Sequence, residues 1–293
     1  MKFHINYLNK TPLHIAVETG NTEIFKLLLA HKQIEIGESA FFSCLELKQI
    51  TIPDTVTVIG DNAFKFCTSL ESITIPETVT EIGDNAFRGC SSLQKILLPS
   101  SISFIGNNAF EGCNQLQEIV IPSAVTNIGA YTFKGCSSLQ KVVIPSTVKS
   151  IGSYAFHGCT TMTEMKLPDS VTNLSAYAFD GCVSLREIHL SNAITSIGNY
   201  AFQGCTSLLQ IKIPDSVKSV GRFAFRGCSS AKNVVFGSGV GAILDHSFKG
   251  CTSLENVSIP NSVKQIGDNT FEGCTSLIDV EIELYVFGFS ESL

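Results

Sequence analysis

The spacing of the cysteines constrains the fold of this 293-residue chain more than any other feature of its sequence. The chain contains 11 cysteines, and each lies 23 residues after the one before it, without an insertion or a deletion. A fixed period of about 20–50 residues is typical of solenoids, propellers and other repeat arrays. With an Ile-Gly pair as its start, the repeat occurs eleven times over residues 36–288. The cysteines are Cys44, Cys67, Cys90, Cys113, Cys136, Cys159, Cys182, Cys205, Cys228, Cys251 and Cys274.

Within each repeat, the residue types distinguish an interior, a strand and a turn. Position 6 is Phe and position 9 is Cys in all eleven repeats. Positions 12, 15 and 17 form an L-x-x-I-x-I pattern, as in Leu116, Ile119 and Ile121. The alternation over positions 14–17 is typical of a half-buried strand. Position 18 holds eight of the nine prolines, which end the strand because proline cannot donate a ladder hydrogen bond.

The remaining limb of the repeat, I-G-x-x-A-F-x-G-C, is expected to return on the other side of the coil. Its small Ala and Gly residues permit a tight turn over the Phe. Position 20 carries a hydroxyl in seven repeats, and we expect it to bond the turn backbone locally. Stacked at about 4.8 Å, eleven strands give a solenoid of roughly 50 Å. The sequence therefore predicts a repeat solenoid with a parallel β-sheet of about eleven short strands.

The unit I-G-x-x-A-F-x-G-C-x-S-L-x-x-I-x-I-P-x-S-V resembles the BspA-type (Treponema pallidum type) leucine-rich repeat. The match covers 253 of the 293 residues and recurs eleven times. The resemblance implies a curved, right-handed leucine-rich-repeat coil from bacterial and protist surface proteins, used in adhesion and protein binding. It implies no catalytic residues. The departures are Phe66 in place of Gly, Met162 and Ala231 in place of Leu, and residues 234–242, which lack the Pro.

Residues 1–35 differ from the rest of the chain. Residues 11–16, TPLHIA, match the T-P-L-H-x-A signature of an ankyrin repeat, and residues 20–29 resemble its second helix. A fusion of these two repeat types resembles proteins of parasitic protists. Because a single ankyrin repeat cannot bury its own apolar face, we interpret 1–35 as a short helical segment that caps the repeats of 36–293. A remnant of a longer ankyrin array and a binding role are the alternatives.

Composition and charge exclude several classes of protein. The formal net charge is −6, whereas nucleic-acid binders carry basic patches, so no nucleic-acid partner is expected. No stretch approaches the ~20 apolar residues of a transmembrane helix. The first ten residues lack the apolar core of a signal peptide, and none is predicted.

The sequence contains no constellation typical of an enzyme or a metal site. Every cysteine stands alone, without a C-x2-C partner, and equivalent side chains would point the same way into the coil. We therefore expect a buried ladder of free thiols. The six histidines have no ligand or triad spacing. Residues 237–241, GSGVG, lack the G-x-G-x-x-G pattern and are interpreted as a degenerate turn. No catalytic residue, cofactor or metal is predicted.

The outward positions 14 and 16 of the strand are the expected binding face, because solenoids bind on their extended concave surface. At position 16, three consecutive repeats carry apolar residues where polar ones are expected, and charged residues flank them. An apolar strip rimmed by charge is typical of a protein contact. The alternative is that β-branched residues simply favour strands. The candidate partner-binding residues are Lys95, Leu97, Glu118, Val120, Lys141, Val143, Glu164, Lys166, Glu187, His189 and Lys212.

These observations predict a non-enzymatic protein-interaction module. The first hypothesis, which depends chiefly on the family resemblance, is a surface adhesin-like protein that binds host-cell or extracellular-matrix proteins. The second is an intracellular scaffold, consistent with unpaired cysteines and the absence of a recognisable signal peptide. The location therefore stays open between cell surface and cytoplasm. Residues 281–293 provide no polar cap of the kind that solenoid ends need. Three alternatives account for this: the tail folds back over the end, the end associates with another chain in an end-to-end self-association, or the chain is a fragment.

Overall fold

The computed structural model describes residues 34–282, which form a parallel β-solenoid of stacked 23-residue coils. Each coil contributes one strand to a front column and one to a second column, and every strand pair is parallel. The front column contains the L-x-x-I-x-I pattern of each repeat. It consists of β2 (Gln49–Thr51), β4 (Ser72–Thr74), β6 (Lys95–Leu97), β8 (Glu118–Val120), β10 (Lys141–Val143), β12 (Glu164–Lys166), β14 (Glu187–His189), β16 (Gln210–Ile213), β18 (Asn233–Phe236), β20 (Asn256–Ile259) and β22 (Asp279–Ile282).

The second column lies where one repeat ends and the next begins. Most of its strands have only two residues, which is too short for an alternation of apolar and polar residues to indicate a strand. The sequence therefore predicted the front column and missed this one. It consists of β1 (Ile34–Ile36), β3 (Val56–Ile59), β5 (Glu81–Ile82), β7 (Phe104–Ile105), β9 (Asn127–Ile128), β11 (Ser150–Ile151), β13 (Asn173–Leu174), β15 (Ser196–Ile197), β17 (Ser219–Val220), β19 (Ala242–Ile243) and β21 (Gln265–Ile266).

The coils stack in register, so that equivalent residues of consecutive repeats are neighbours. Val120 of β8 pairs with Val143 of β10, for example, and Glu164 of β12 pairs with Glu187 of β14. Because no repeat has an insertion, every column of the sequence becomes a column of the solenoid. The predicted solenoid and its parallel sheet are confirmed.

The position-6 phenylalanines form a continuous stack through the interior. The ten from Phe41 to Phe248 are fully buried. Their ring centroids lie between 4.8 Å (Phe41 to Phe64) and 5.6 Å (Phe110 to Phe133) apart, with nearly parallel planes. Aromatic pairs contribute about 0.5–1.5 kcal/mol beyond their burial, so this stack adds a stabilising contact at every coil boundary.

The cysteines form a second interior column beside the phenylalanines. The ten thiols from Cys67 to Cys274 are free, and all eleven cysteines are buried except Cys274, which is half-buried. Cys67 Sγ donates to the carbonyl oxygen of Phe41 at 3.0 Å, and the bond recurs in the following coils. Burial raises the pKa of the Cys90 and Cys136 thiols to about 12. The predicted ladder of buried thiols is confirmed.

Two repeat positions favour glycine for different reasons. At position 2 of coil nine the backbones lie close together, since a Cβ on Gly221 would lie 2.7 Å from the backbone nitrogen of Asn199, whereas coils seven and ten carry Ser175 and Leu244 at this position. At position 8 the backbone is left-handed, as at Gly112 with φ of 73°, a conformation that glycine adopts without steric cost. Phe66 occupies position 8 of its coil with φ of 62°.

The hydroxyl at position 20 bonds to the neighbouring coil, and the expectation of a local turn bond is wrong. Thr147 Oγ1 donates to the carbonyl oxygen of Val125 at 2.8 Å, 22 residues earlier. The preceding coil is within reach because coils stack about 4.8 Å apart. Ser262 differs, since its buried Oγ has no partner among the described residues. The same bond is made by Thr78, Ser101, Ser170 and Ser216.

Position 4 has a left-handed backbone in every coil, whichever residue occupies it. Coils two to four carry Asn there, at Asn62, Asn85 and Asn108, with φ of 56–57°. In the next six coils the position is aromatic, and consecutive rings stack with centroids 4.4–4.8 Å apart. These half-buried rings, here called the aromatic ladder, are Tyr131, Tyr154, Tyr177, Tyr200, Phe223 and His246.

Two sequence predictions lie outside the described residues. The ankyrin-like segment and its capping role fall almost entirely on 1–33, and the folded-back tail falls on 283–293. The described solenoid begins with β1 at Ile34, two residues before the predicted domain boundary.

Candidate partner-binding surface

The front column exposes two lanes of side chains, at positions 14 and 16, and buries position 15 between them. In β6, Lys95 and Leu97 are exposed and Ile96 is buried. In β8 the same pattern places Ile119 inside. All eleven candidate residues lie exposed on this face, in register along the solenoid.

The apolar part of the face is the run of Leu97, Val120 and Val143, here called the apolar stripe. Their exposed fractions are 67%, 59% and 41%. The three residues occupy position 16 of consecutive coils, and Val120 and Val143 are direct register partners. Three large apolar side chains are therefore held about one strand spacing apart, facing away from the core.

Charges beside the apolar stripe alternate in sign. Lys95 pairs in register with Glu118, and Glu118 pairs with Lys141. Opposite charges on neighbouring strands attract one another, so this part of the lane is self-compensating. A shallow groove at its side is lined by Gln94, Gln117 and Gln140 together with these three charges.

Further along the solenoid, acidic residues are neighbours in one lane and basic residues in the other. Glu164 pairs in register with Glu187, and Lys166 pairs with His189. The residues Lys166, His189 and Lys212 are here called the basic stripe. His189 Nε2 lies 3.1 Å from Glu187 Oε1, whereas neither Lys166 nor Lys212 makes an ion pair with a described residue. Like charges directly opposite one another on adjacent strands are destabilising.

Two exposed apolar residues of the front column and the turn before it are not among the eleven candidate residues. Leu209, at position 13, is 55% exposed, and Val235, at position 16, is 51% exposed. Val235 pairs in register with Lys212, so it continues the position-16 lane beyond the basic stripe. The repeat frame places Val235 in this lane, one coil beyond Lys212, which is the last of the candidate residues.

The structure also bears on metal binding and membrane insertion. Over residues 34–282, no three His, Cys, Asp or Glu side chains come together in an arrangement that could hold a metal ion. The same range contains no helix long and apolar enough to cross a membrane.

The family of the chain follows from a comparison with family models. The model described as BspA type leucine rich repeat region (6 copies) matches residues 34–163, 126–216 and 195–291. The chain belongs to the BspA-type leucine-rich-repeat family. An ankyrin repeat model matches residues 8–37, which supports the predicted resemblance there.

Solved structures of similar proteins have the same fold. A leucine-rich repeat protein from Bacteroides ovatus is 35% identical, with 84% of this chain and 69% of that chain covered and a TM-score of 0.72. A leucine rich cell surface protein from Faecalibacterium prausnitzii is 30% identical, with coverages of 85% and 83% and a TM-score of 0.53. The pneumococcal vaccine antigen PcpA, at 20% identity, coverages of 82% and 73% and a TM-score of 0.56, shares the fold alone. No curated protein shows significant similarity to the chain.

Proposed function

We propose that this BspA-type solenoid is a non-enzymatic interaction module that binds a protein partner through the front column. The observation that carries the proposal is the apolar stripe, whose three side chains are between 41% and 67% exposed on consecutive coils. Contiguous apolar surface rimmed by charge is typical of protein contacts. A general preference of strands for β-branched residues does not account for Leu97, which is the most exposed of the three.

The experiment replaces the apolar stripe and measures capture of proteins from host cells or matrix by the immobilised chain. Leu97→Ser, Val120→Ser and Val143→Ser together are expected to abolish specific capture. Thermal unfolding should change little, because exposed substitutions usually alter stability by less than about 0.5 kcal/mol each. The matched control is Phe104→Ser with Val183→Ser, which removes exposed apolar side chains outside the front column. Capture retained by the triple variant contradicts the proposal.

Two settings fit such a module. A cell-surface, adhesin-like role with a host or matrix partner is supported by family membership and by the similar protein described as a cell surface protein. An intracellular scaffold is supported by the ten free thiols from Cys67 to Cys274, since oxidising compartments favour disulfides. Antibody labelling of intact cells, with a surface-protease treatment as control, separates the two. Labelling that the protease removes supports the adhesin, and labelling only after permeabilisation supports the scaffold.

A further inference from the structure

The position-16 lane of the front column is divided into an apolar and a basic section that lie end to end. From coil three to coil eight it presents the apolar stripe and then the basic stripe, and Val235 follows in coil nine. Val120 and Val143 are register partners within the apolar section, and Lys166 and His189 are register partners within the basic section. The strand ladder of the front column is interrupted between β10 and β12 and between β14 and β16. A partner that lies along this lane meets apolar side chains first and cationic ones after them.

The two lysines of the basic stripe have no ion-pair partner among the described residues. Lys166 and Lys212 make no ion pair there, and His189 lies between them. Glu187 lies 3.1 Å from His189, and Glu164, its neighbour in the other lane, makes no ion pair with a described residue. Two carboxylates placed over the position-16 lane, one at Lys166 and one at Lys212, would therefore each meet an unpaired ammonium group.

The spacing of the lane favours a helix as the bound element. Consecutive coils are about 4.8 Å apart, close to the 5.4 Å pitch of an α-helix. A helix that crosses the strands therefore places about one side chain over each coil. In an extended strand, side chains on one face recur every ~6.6 Å and lose register after two coils.

We propose that the partner contributes an amphipathic α-helix of about five turns, with apolar side chains on the apolar stripe and Asp or Glu side chains at Lys166 and Lys212. This inference rests on the proposed function and specifies the chemistry of the partner. Apolar contact supplies burial, while charge complementarity sets register and speeds association.

The test is a selection from a displayed library of 18-residue helical peptides, with the apolar and charged positions of one helix face randomised. Enriched peptides are expected to carry apolar residues at one-turn spacing over one half and carboxylates over the other. Lys166→Glu with Lys212→Glu should weaken their binding at least tenfold, and Lys166→Met with Lys212→Met should weaken it less. The control, Lys149→Glu with Lys218→Glu, reverses two exposed lysines outside the front column and should leave binding unchanged.

The outcomes separate this inference from the proposed function. Enriched peptides that still bind the Leu97, Val120 and Val143 triple-serine variant would overturn the proposed function, because they bind elsewhere. Binding that needs the apolar stripe but is unaffected by reversal at Lys166 and Lys212 would overturn only the acidic helix. An equally tight complex with poly-glutamate of the same length would overturn it as well, since charge alone would then suffice.

Discussion

The interior of the solenoid and its outward columns obey different rules. Inside, position 6 is Phe and position 9 is Cys in every coil, so each residue packs on an identical neighbour. Outside, positions 4 and 16 change character partway along the chain. They change in runs: position 4 carries Asn and then six consecutive rings, and position 16 carries an apolar run and then a basic one. The interior defines the coil, and the outward columns carry whatever distinguishes one part of the protein from another.

The aromatic ladder at position 4 and the basic stripe at position 16 differ in the contacts that their side chains make. The aromatic ladder compensates itself, because each ring stacks on the next at 4.4–4.8 Å. Those contacts offset the steric cost of a bulky residue with a left-handed backbone, which is normally an outlier. The lysines of the basic stripe are different, because neither Lys166 nor Lys212 makes an ion pair with a described residue. The aromatic ladder therefore has a structural explanation in its own stacking contacts. The lysines of the basic stripe have no such contacts, which favours a role in binding a partner.

The uniform interior predicts a steep loss of stability in alkali, the largest effect expected here. In the unfolded chain a thiol has a pKa near 8.5, while in the folded protein it is raised, so folding stability is complete below about pH 8.5 and falls above it. Each such thiol subtracts about 1.4 kcal/mol per pH unit, and seven together subtract roughly 10. The seven thiols at which burial is the largest cause of the raised pKa, to about 12 at three of them, are Cys90, Cys113, Cys136, Cys159, Cys182, Cys205 and Cys228.

Urea titrations in the presence of a reductant, at half-unit steps from pH 7 to 10.5, measure this slope. The free energy of unfolding should be level to about pH 8.5 and then collapse within roughly one further unit. Cys136→Ala should reduce the fall in the free energy of unfolding by about 1.4 kcal/mol per pH unit, the contribution of one thiol. This expectation holds whatever the substitution does to stability at neutral pH. A free energy of unfolding that stays constant from pH 8 to 10 would show that the thiols are not shielded from ionisation.

The second prediction asks whether the interior is the same on both sides of the change at position 4. Phe110 lies in coil four, the last of the three consecutive coils with Asn at position 4, and Phe133 lies in the first aromatic coil. Both are fully buried, so Phe110→Ala and Phe133→Ala should each cost about 3–5 kcal/mol. Phe104→Ala, a ring that is 51% exposed, is the control and should cost far less.

Equilibrium unfolding, with amide hydrogen exchange in the flanking coils, tests this equality. Exchange is informative because each repeat contacts only its neighbours, so the loss should be local. Costs below about 1.5 kcal/mol for both variants would mean that the phenylalanine stack is loosely packed. A large difference between the two would mean that the aromatic ladder also tightens the interior.

The sequence predicted those parts of the fold that a residue type marks directly. Invariant Phe and Cys, and the alternation of positions 14–17, gave the interior, the front column and the exposure of all eleven candidate residues. The second column could not be predicted, because a two-residue strand such as Glu81–Ile82 has no period. The bond from Thr147 to Val125 was missed because it joins neighbouring coils.

The aromatic ladder was missed for a different physical reason. Asn, Tyr, Phe and His share no hydropathy, so position 4 looks merely variable in the sequence. What unites them is a left-handed φ of 54–60°, which only the structure reveals. For the candidate site, the sequence identified the lanes, but it could not establish that Lys166 and Lys212 lack ion pairs, because that depends on where neighbouring side chains lie.

The smallest and most discriminating prediction exchanges the two kinds of residue at position 4. Tyr177→Asn removes stacking on Tyr154 and Tyr200, at 4.4 and 4.5 Å, but restores a residue that tolerates a left-handed backbone. We expect a net loss of about 1 kcal/mol. Asn85→Tyr introduces the steric cost without a ring to stack on, and should also cost about 1 kcal/mol. If either substitution stabilises the protein, the position-4 residues of the adjacent coils do not determine whether Asn or Tyr is the more stable residue.

A triple variant tests that dependence on neighbours directly. Asn62→Tyr, Asn85→Tyr and Asn108→Tyr together place three rings on consecutive coils, next to Tyr131. If stacking offsets the backbone cost, the triple variant should lose less stability than the three single variants added together, by about 1–3 kcal/mol. Strict additivity in urea unfolding would mean that the rings of the natural ladder contribute separately. In that case the run of aromatic residues at 131–246 would lack the structural explanation given above, and it would have to be examined as a second recognition surface.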